Sequence, residues 1–192
     1  MALDLVILVL GNLAAVLAAF VALWALSLRL KDASIVDIAW GPACAVQALL
    51  TYVRADVADP RALLLTILVV LWALRLAIHL GRRNLGHGED YRYWAMRTKQ
   101  GSDTAFARWS LVYVFGLQSL IVWFVSLPVQ IGQIGGAGDL GPLAGAGAAL
   151  FAAGLFFESV GDHQLAEFKK DPANKGRLMT RGLWALTRHP NY

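Results

Sequence analysis

The sequence predicts an all-α, polytopic transmembrane bundle, and three observations carry that expectation. The 192-residue chain is 58% hydrophobic and only 16% charged, whereas soluble domains carry about 25% charged residues. Five apolar stretches approach the roughly 20 residues that a helix needs to cross a bilayer. The basic residues gather in alternate connections between those stretches.

The expected spans are roughly 5–28, 34–53, 62–80, 109–130 and 140–157. The first lacks a basic start and is about twice the length of a secretory h-region, so it reads as a span rather than a cleaved signal. The fourth is expected to end near Pro128. The fifth is rich in small residues (Gly141, Gly145, Gly147, Gly154), which let helices approach closely. Gly132 to Gly141 reads as a short flexible turn. The whole chain reads as one integral membrane domain. Its two parts are 1–130 and 131–192, to which a family resemblance carried by the later motifs assigns the substrate-side helices and the start of a cofactor-binding half.

Charge gives the orientation. Fourteen basic residues lie in the first connection, the third connection and the tail, and only Arg54 and Arg61 lie on the other side. Positive charge is retained in the cytoplasm. The tail and the 81–108 loop are therefore expected inside and the N-terminus outside. The net charge of +4 reports topology here and does not indicate nucleic acid. The single cysteine, Cys44, permits no intrachain disulfide.

Polar groups inside spans mark function or pairing. Asp37, in Ser34-Ile-Val-Asp-Ile-Ala-Trp40-Gly, and Arg75 fall at similar depth on antiparallel spans. They are expected to pair and orient two helices, or to line a wet cavity with Trp40, Trp72 and His79. Each of those rings also suits an interfacial belt. In the 81–108 loop Tyr91, Tyr93 and Trp94 suit the interface, and Arg82, Arg83 and Arg92 suit phosphates of lipid headgroups or of a cofactor.

Beyond the fifth span, Glu158, Asp162, Leu165 and Lys169 share one helical face. Carboxylates so placed can bind ribose hydroxyls and cations further on can bind phosphates; the plainer reading is a solvated face. Pro172 ends the helix. A basic loop with Lys175 and Arg177 leads to the closing Arg188-His189-Pro190-Asn191-Tyr192, a dense run of hydrogen-bonding groups. The four histidines show no metal-site spacing, and no Rossmann or Walker motif is present.

Taken together, Asp37-Ile-Ala-Trp40-Gly41, Arg82-Arg83-Asn84, Phe157-Glu158 with Asp162 and Gln164, Lys169, Gly182-Leu183-Trp184 and the closing phrase resemble bacterial membrane proteins of unknown function allied to steroid 5-alpha-reductases. The resemblance covers nearly the whole chain. It implies a multi-helix membrane reductase that grips NADPH at the cytoplasmic face and reduces a C=C conjugated to a carbonyl in a lipid or steroid-like substrate. It assigns cofactor binding to Glu158, Asp162, Lys169, Arg177, Arg188, His189, Asn191 and Tyr192, and places Asp37 near the substrate; Arg75, by its similar depth, is expected beside it as its catalytic partner. A proton-donor role for Asp37 and a tight ion pair with Arg75 compete.

Two departures from the steroid enzymes stand out. A Gln-Glu pair there is Val36-Asp37 here, and a tyrosine of the next helix is Trp72 here. Relatives of this kind continue past Tyr192 with about two further spans, about seven in all, so the chain is expected to be C-terminally truncated. The Arg-His-Pro-x-Tyr phrase also occurs in isoprenylcysteine carboxyl methyltransferases and phospholipid methyltransferases, which bind S-adenosylmethionine. A methyltransferase and a non-catalytic lipid-binding protein are the alternatives.

Overall fold

Apolar sequence becomes helix almost throughout. The computed structural model describes residues 2–54, 59–134 and 140–190, and among them there is no strand. The chain is all-α, and among the described residues five helices are long and apolar enough to cross a membrane. Its large exposed aliphatic residues, such as Val21, Leu74, Ile121 and Leu150, are what an integral membrane protein presents to lipid. The chain divides into two compact units, Met1–Asp139 and Leu140–Tyr192.

The first unit begins with α1 (Ala2–Leu30) and α2 (Ile35–Arg54). Lys31 takes the left-handed conformation (φ 52°) between them. α3 (Pro60–Asn84) starts where Asp59 caps the Arg61 N–H at 2.9 Å and Pro60 supplies the first helical residue, a favoured N-terminal pairing. α4 (Tyr91–Gln100) is capped by Asp90 and stops at Gly101, whose φ of 75° ends a helix at little cost.

Ser102 then caps α5 (Asp103–Ser110), which continues through a π-helical turn, Leu111–Gly116, into α6 (Leu117–Ile134). The fourth apolar stretch is thus a rod from Asp103 to Ile134, longer at both ends than the sequence suggested. Pro128 does not end it. A proline inside a membrane helix frees one backbone acceptor, and neighbouring groups can satisfy it. Residues 132–134 of the expected turn are helical, and 135–139 lie outside the described residues.

α2 and α3 pack most closely. A Cβ on Gly41 would stand 2.6 Å from the Ala73 carbonyl oxygen, so the two backbones touch there, as small residues allow. Trp24 donates its indole N–H to the Ala107 carbonyl at 3.0 Å, and Trp123 donates to that of Val9 at 3.0 Å. These bonds tie α1 to the long rod. Val16, Phe20, Val36, Phe106, Phe115 and Val122 form the buried core.

The second unit holds α7 (Pro142–Lys170) and the tail folded onto it. Short 3-10 turns cover Pro172–Asn174 and Gly182–Ala185. α7 runs well past the 157 expected for the span. The Asn174 amide donates to the Phe168 carbonyl at 2.9 Å, satisfying one of the acceptors a helix end leaves open.

Candidate functional site: a polar-mouthed slot and a cationic cavity

The first unit encloses a slot of about 630 Å³. Its α2 wall is the stripe Asp37, Trp40, Cys44 and Ala48, and its α3 wall is Val69, Trp72, Leu76, Leu80 and Arg83. Val125, Ser126 and Val129 of α6 close one end, and Arg92 of α4 stands at the other with Asp37 and Arg83. The helical period alone explains the stripes, since residues three and four apart share a face. The slot is therefore charged at its mouth and apolar along its length.

Asp37 takes its partners from α4. The Tyr93 hydroxyl donates to Asp37 Oδ1 at 2.5 Å, and Arg92 Nη2 donates to Asp37 Oδ2 at 2.8 Å. Arg92 also donates to both Asp90 oxygens, at 2.9 and 3.2 Å. Asp90 in turn accepts the Arg92 backbone N–H at 3.0 Å. Gln118, just past the π-helical turn, donates to the Tyr93 oxygen at 3.3 Å and accepts from the Trp40 indole at 2.6 Å. A π-turn inserts a residue and rotates the helix beyond it, and Gln118 lies on the rotated part.

These contacts set proton affinities. Burial, then the hydrogen bond to Asp37, pushes the Tyr93 phenol above its ordinary value, so it keeps its proton. The hydrogen bond from Arg92 holds the Asp90 carboxyl below the usual carboxylate range. The Arg92 guanidinium is raised by the bond to Asp90 and by the Asp37 charge, against a desolvation cost.

A second clamp fixes α4. Glu89 receives Arg97 in a bidentate pair, at 2.9 and 2.8 Å, and also accepts the Ala33 N–H at 2.8 Å. Arg97 lies over the Phe106 ring, 4.2 Å from its centroid. The Glu89 bond raises the Arg97 guanidinium further. The α1–α2 turn, the loop before α4 and α5 are thereby joined.

Of the expected substrate-side residues, Asp37, Trp40 and Trp72 face the slot, while Arg75 and His79 are not among its wall residues. Arg75 is half-buried on α3. Tyr91 and Trp94 are exposed, as an interfacial reading requires, but Tyr93 is 5% exposed and belongs to the Asp37 cluster. Arg92 meets carboxylates. A phenol, that of Tyr93, thus reaches the Asp37 carboxylate from α4.

A buried amide cluster was not read from the sequence. Asn12 donates to Thr51 Oγ1 at 2.7 Å and to Gln130 Oε1 at 2.9 Å. Gln130 donates to Gln47 Oε1 at 3.2 Å, and Gln47 donates to Ser126 Oγ at 3.1 Å. Gln133 donates to the Ala48 carbonyl at 2.9 Å and to Thr66 Oγ1 at 2.7 Å. The available signal was Asn12 and Gln47 inside apolar spans and Gln130 at the end of one, with Gln133 one helical turn further on.

The second unit has its own cavity, about 1010 Å³, lined by Leu165, Phe168 and Trp184 and by Lys169, Lys175, Arg177, Arg188 and His189, with Asp171 as its acid. Four of the expected cofactor residues, Lys169, Arg177, Arg188 and His189, therefore share one cavity. Glu158 and Asp162 lie upstream on α7, the first half-buried and the second buried, and neither lines it. Asn191 and Tyr192 lie outside the described residues.

The tail is held by the motif residues themselves. The Gln164 side-chain oxygen accepts the Leu183 N–H at 3.0 Å, and the Trp184 indole donates to the Gly161 carbonyl at 2.9 Å. Gly182 has φ +60°, and a Cβ there would lie 2.5 Å from the Gln164 amide. Gln164, Gly182, Leu183 and Trp184 thus position the cationic loop on α7.

The "Probable O-methyltransferase ustE" of the fungus Ustilaginoidea virens is 37% identical over 76 residues, covering 40% of this chain and 27% of that protein. The chain thus matches only about a quarter of that relative's length. No solved structure matches. The family described as "Protein of unknown function (DUF1295)" matches residues 23–192, nearly nine-tenths of the sequence and including both cavities. The chain belongs to the DUF1295 family of membrane proteins of unknown function.

Proposed function

We propose that this protein is a membrane-embedded, NADPH-dependent reductase that saturates a C=C conjugated to a carbonyl in a lipid. The observation that carries the reading is the cationic cavity. Lys169, Lys175, Arg177 and Arg188 surround one space with Asp171 as the acid in its wall. Such a set suits the phosphates of a dinucleotide. S-Adenosylmethionine has a cationic sulfonium and no phosphate, and it would leave most of these charges unmatched.

Lys169, Arg177 and Arg188 would hold the phosphates, and His189 would flank them. NADPH held there would supply a hydride. The slot has its own residues for a substrate. Arg92 and Arg83 offer guanidinium donors to the substrate's carbonyl end. Tyr93 retains its proton and shares it with Asp37, which faces the slot, so this pair is the proton-handling group. Trp40, Trp72 and Leu76 exclude water, which strengthens each polar contact. Glu158, Asp162, Asn191 and Tyr192 are assigned to the ribose and nicotinamide end on the family resemblance alone. The alternation of basic residues supports a cytoplasmic α4 and tail.

A methyltransferase is the second reading, supported by the name of the fungal relative. Titration of the full chain in detergent with NADPH and with S-adenosylmethionine separates the two. NADPH is expected to bind, and Lys169→Ala or Arg177→Ala to weaken it about tenfold each, the value of one charge-assisted hydrogen bond. Binding of S-adenosylmethionine without NADPH overturns the reductase reading.

A further inference from the structure

The slot has a fixed floor. Its inner end is built by Cys44, Ala48 and Ser126, which are 7%, 1% and 5% exposed. Behind them stands the amide cluster. Gln47 braces Ser126 from one side, while Gln133 binds the Ala48 carbonyl and Thr66 from the other. Gln130 and Asn12 extend the same cluster to α1. In an apolar medium each broken amide contact strands a polar group, so this floor resists displacement. The side chain that meets the slot at Ala48 is a single methyl.

Along α2 the slot runs from Asp37 to Ala48, eleven residues, or about 16 Å at 1.5 Å per residue. One leaflet of bilayer hydrocarbon is about 15 Å thick. We propose that Ala48, whose carbonyl Gln133 holds beside the Gln47–Ser126 contact, is a specificity-determining residue that sets the substrate's length: an amphiphile with one polar end at Asp37 and Arg92 and an unbranched apolar part about one leaflet long. This rests on the reading of the slot as the substrate site. It does not depend on which cofactor the second unit takes.

The test measures binding alone. The full chain, purified in detergent, is incubated with octanol, dodecanol, hexadecanol and eicosanol, and bound alcohol is counted by native mass spectrometry. These alcohols can donate to Asp37 and offer no conjugated C=C. Occupancy by the wild type is expected to peak at dodecanol and to fall roughly tenfold, about 1.4 kcal/mol, by eicosanol. Ala48→Leu raises the floor and shifts the peak to octanol. Val129→Phe, at a partly exposed position of α6, fills the same end without touching the amide cluster and decides the matter if Ala48→Leu fails to fold. Equal occupancy by dodecanol and eicosanol, or a wild-type length profile in Val129→Phe, overturns the proposal. A shifted profile in a protein that never oxidises NADPH leaves the length proposal standing and removes the reductase reading.

Discussion

The Tyr93 hydroxyl donates to Asp37 across 2.5 Å, joining a short polar helix to the mouth of a slot between membrane spans. The two residues are 56 positions apart. Tyr93→Phe removes the proton and leaves the ring. If the pair handles the reaction's proton, kcat falls by about 10²–10⁴-fold, the usual worth of a positioned acid, while NADPH affinity is unchanged. Asp37→Asn should fall similarly, and turnover equal to wild type in either variant removes the pair from the chemistry.

The same bond gives an alkaline signature. The Tyr93 phenol is raised in the folded protein, so the folded state holds this proton more tightly than the unfolded state does. Its contribution is complete below the ordinary phenol value of about 10 and is lost as pH rises through the raised one. The melting temperatures of wild type and Tyr93→Phe should differ at neutral pH and converge in strong alkali.

Asp90 behaves in the opposite sense. Its folded-state carboxyl is lowered, so its contribution is present above about pH 4 and is lost as pH falls further. Asp90→Asn should lower the neutral melting temperature and flatten the acid limb. A steeper acid limb in Asp90→Asn would contradict the Arg92–Asp90 clamp.

Glu89→Gln should be the costliest change in the α4 region. The Glu89 side chain is 8% exposed and holds Arg97 by two hydrogen bonds. Removing one partner of such a pair costs roughly 3 kcal/mol, because Arg97 then keeps only its 3.2 Å pairing with the exposed Asp103. Denaturant unfolding measures it, and a loss within 0.5 kcal/mol, about the size of an ordinary surface substitution, would show the clamp to be idle.

Gly41→Val tests the α2–α3 contact. The added carbons meet the Ala73 backbone, and overpacking of this kind costs about 1–3 kcal/mol. Asp37, Trp40 and Cys44 ride on the same helix, so the alcohol-binding profile should blur together with the stability loss.

Gly182→Ala tests the tail. It places a Cβ on the Gln164 amide and demands a left-handed residue, for about 1–2 kcal/mol. The expected outcome is faster protease cleavage after Arg177 or Arg181 and weaker NADPH binding, with the slot's alcohol binding intact.

Some of this was legible in the chain. Long apolar runs require helices in a bilayer because no water is there to satisfy the backbone, and Pro172 marks a boundary by local chemistry. Lys169, Arg177, Arg188 and His189 were legible as a set because they lie close together near the end of the chain. The end of the fourth span was not, since membrane helices tolerate Pro128. Tyr93 looked like any interfacial aromatic, and the glutamines of the spans passed unremarked.

The sequence by itself determined the all-α class, the five membrane-length helices and the basic character of the tail, because hydropathy and charge act on each segment separately. The tertiary structure decided that Arg92 and Tyr93 reach Asp37, that Gln118 reaches both Trp40 and Tyr93, that Asn12, Gln130 and Gln47 join one another, and that Gln133 reaches the Ala48 carbonyl. Those contacts join residues tens of positions apart. They depend on the depth and rotation of each helix, which packing sets and local sequence does not.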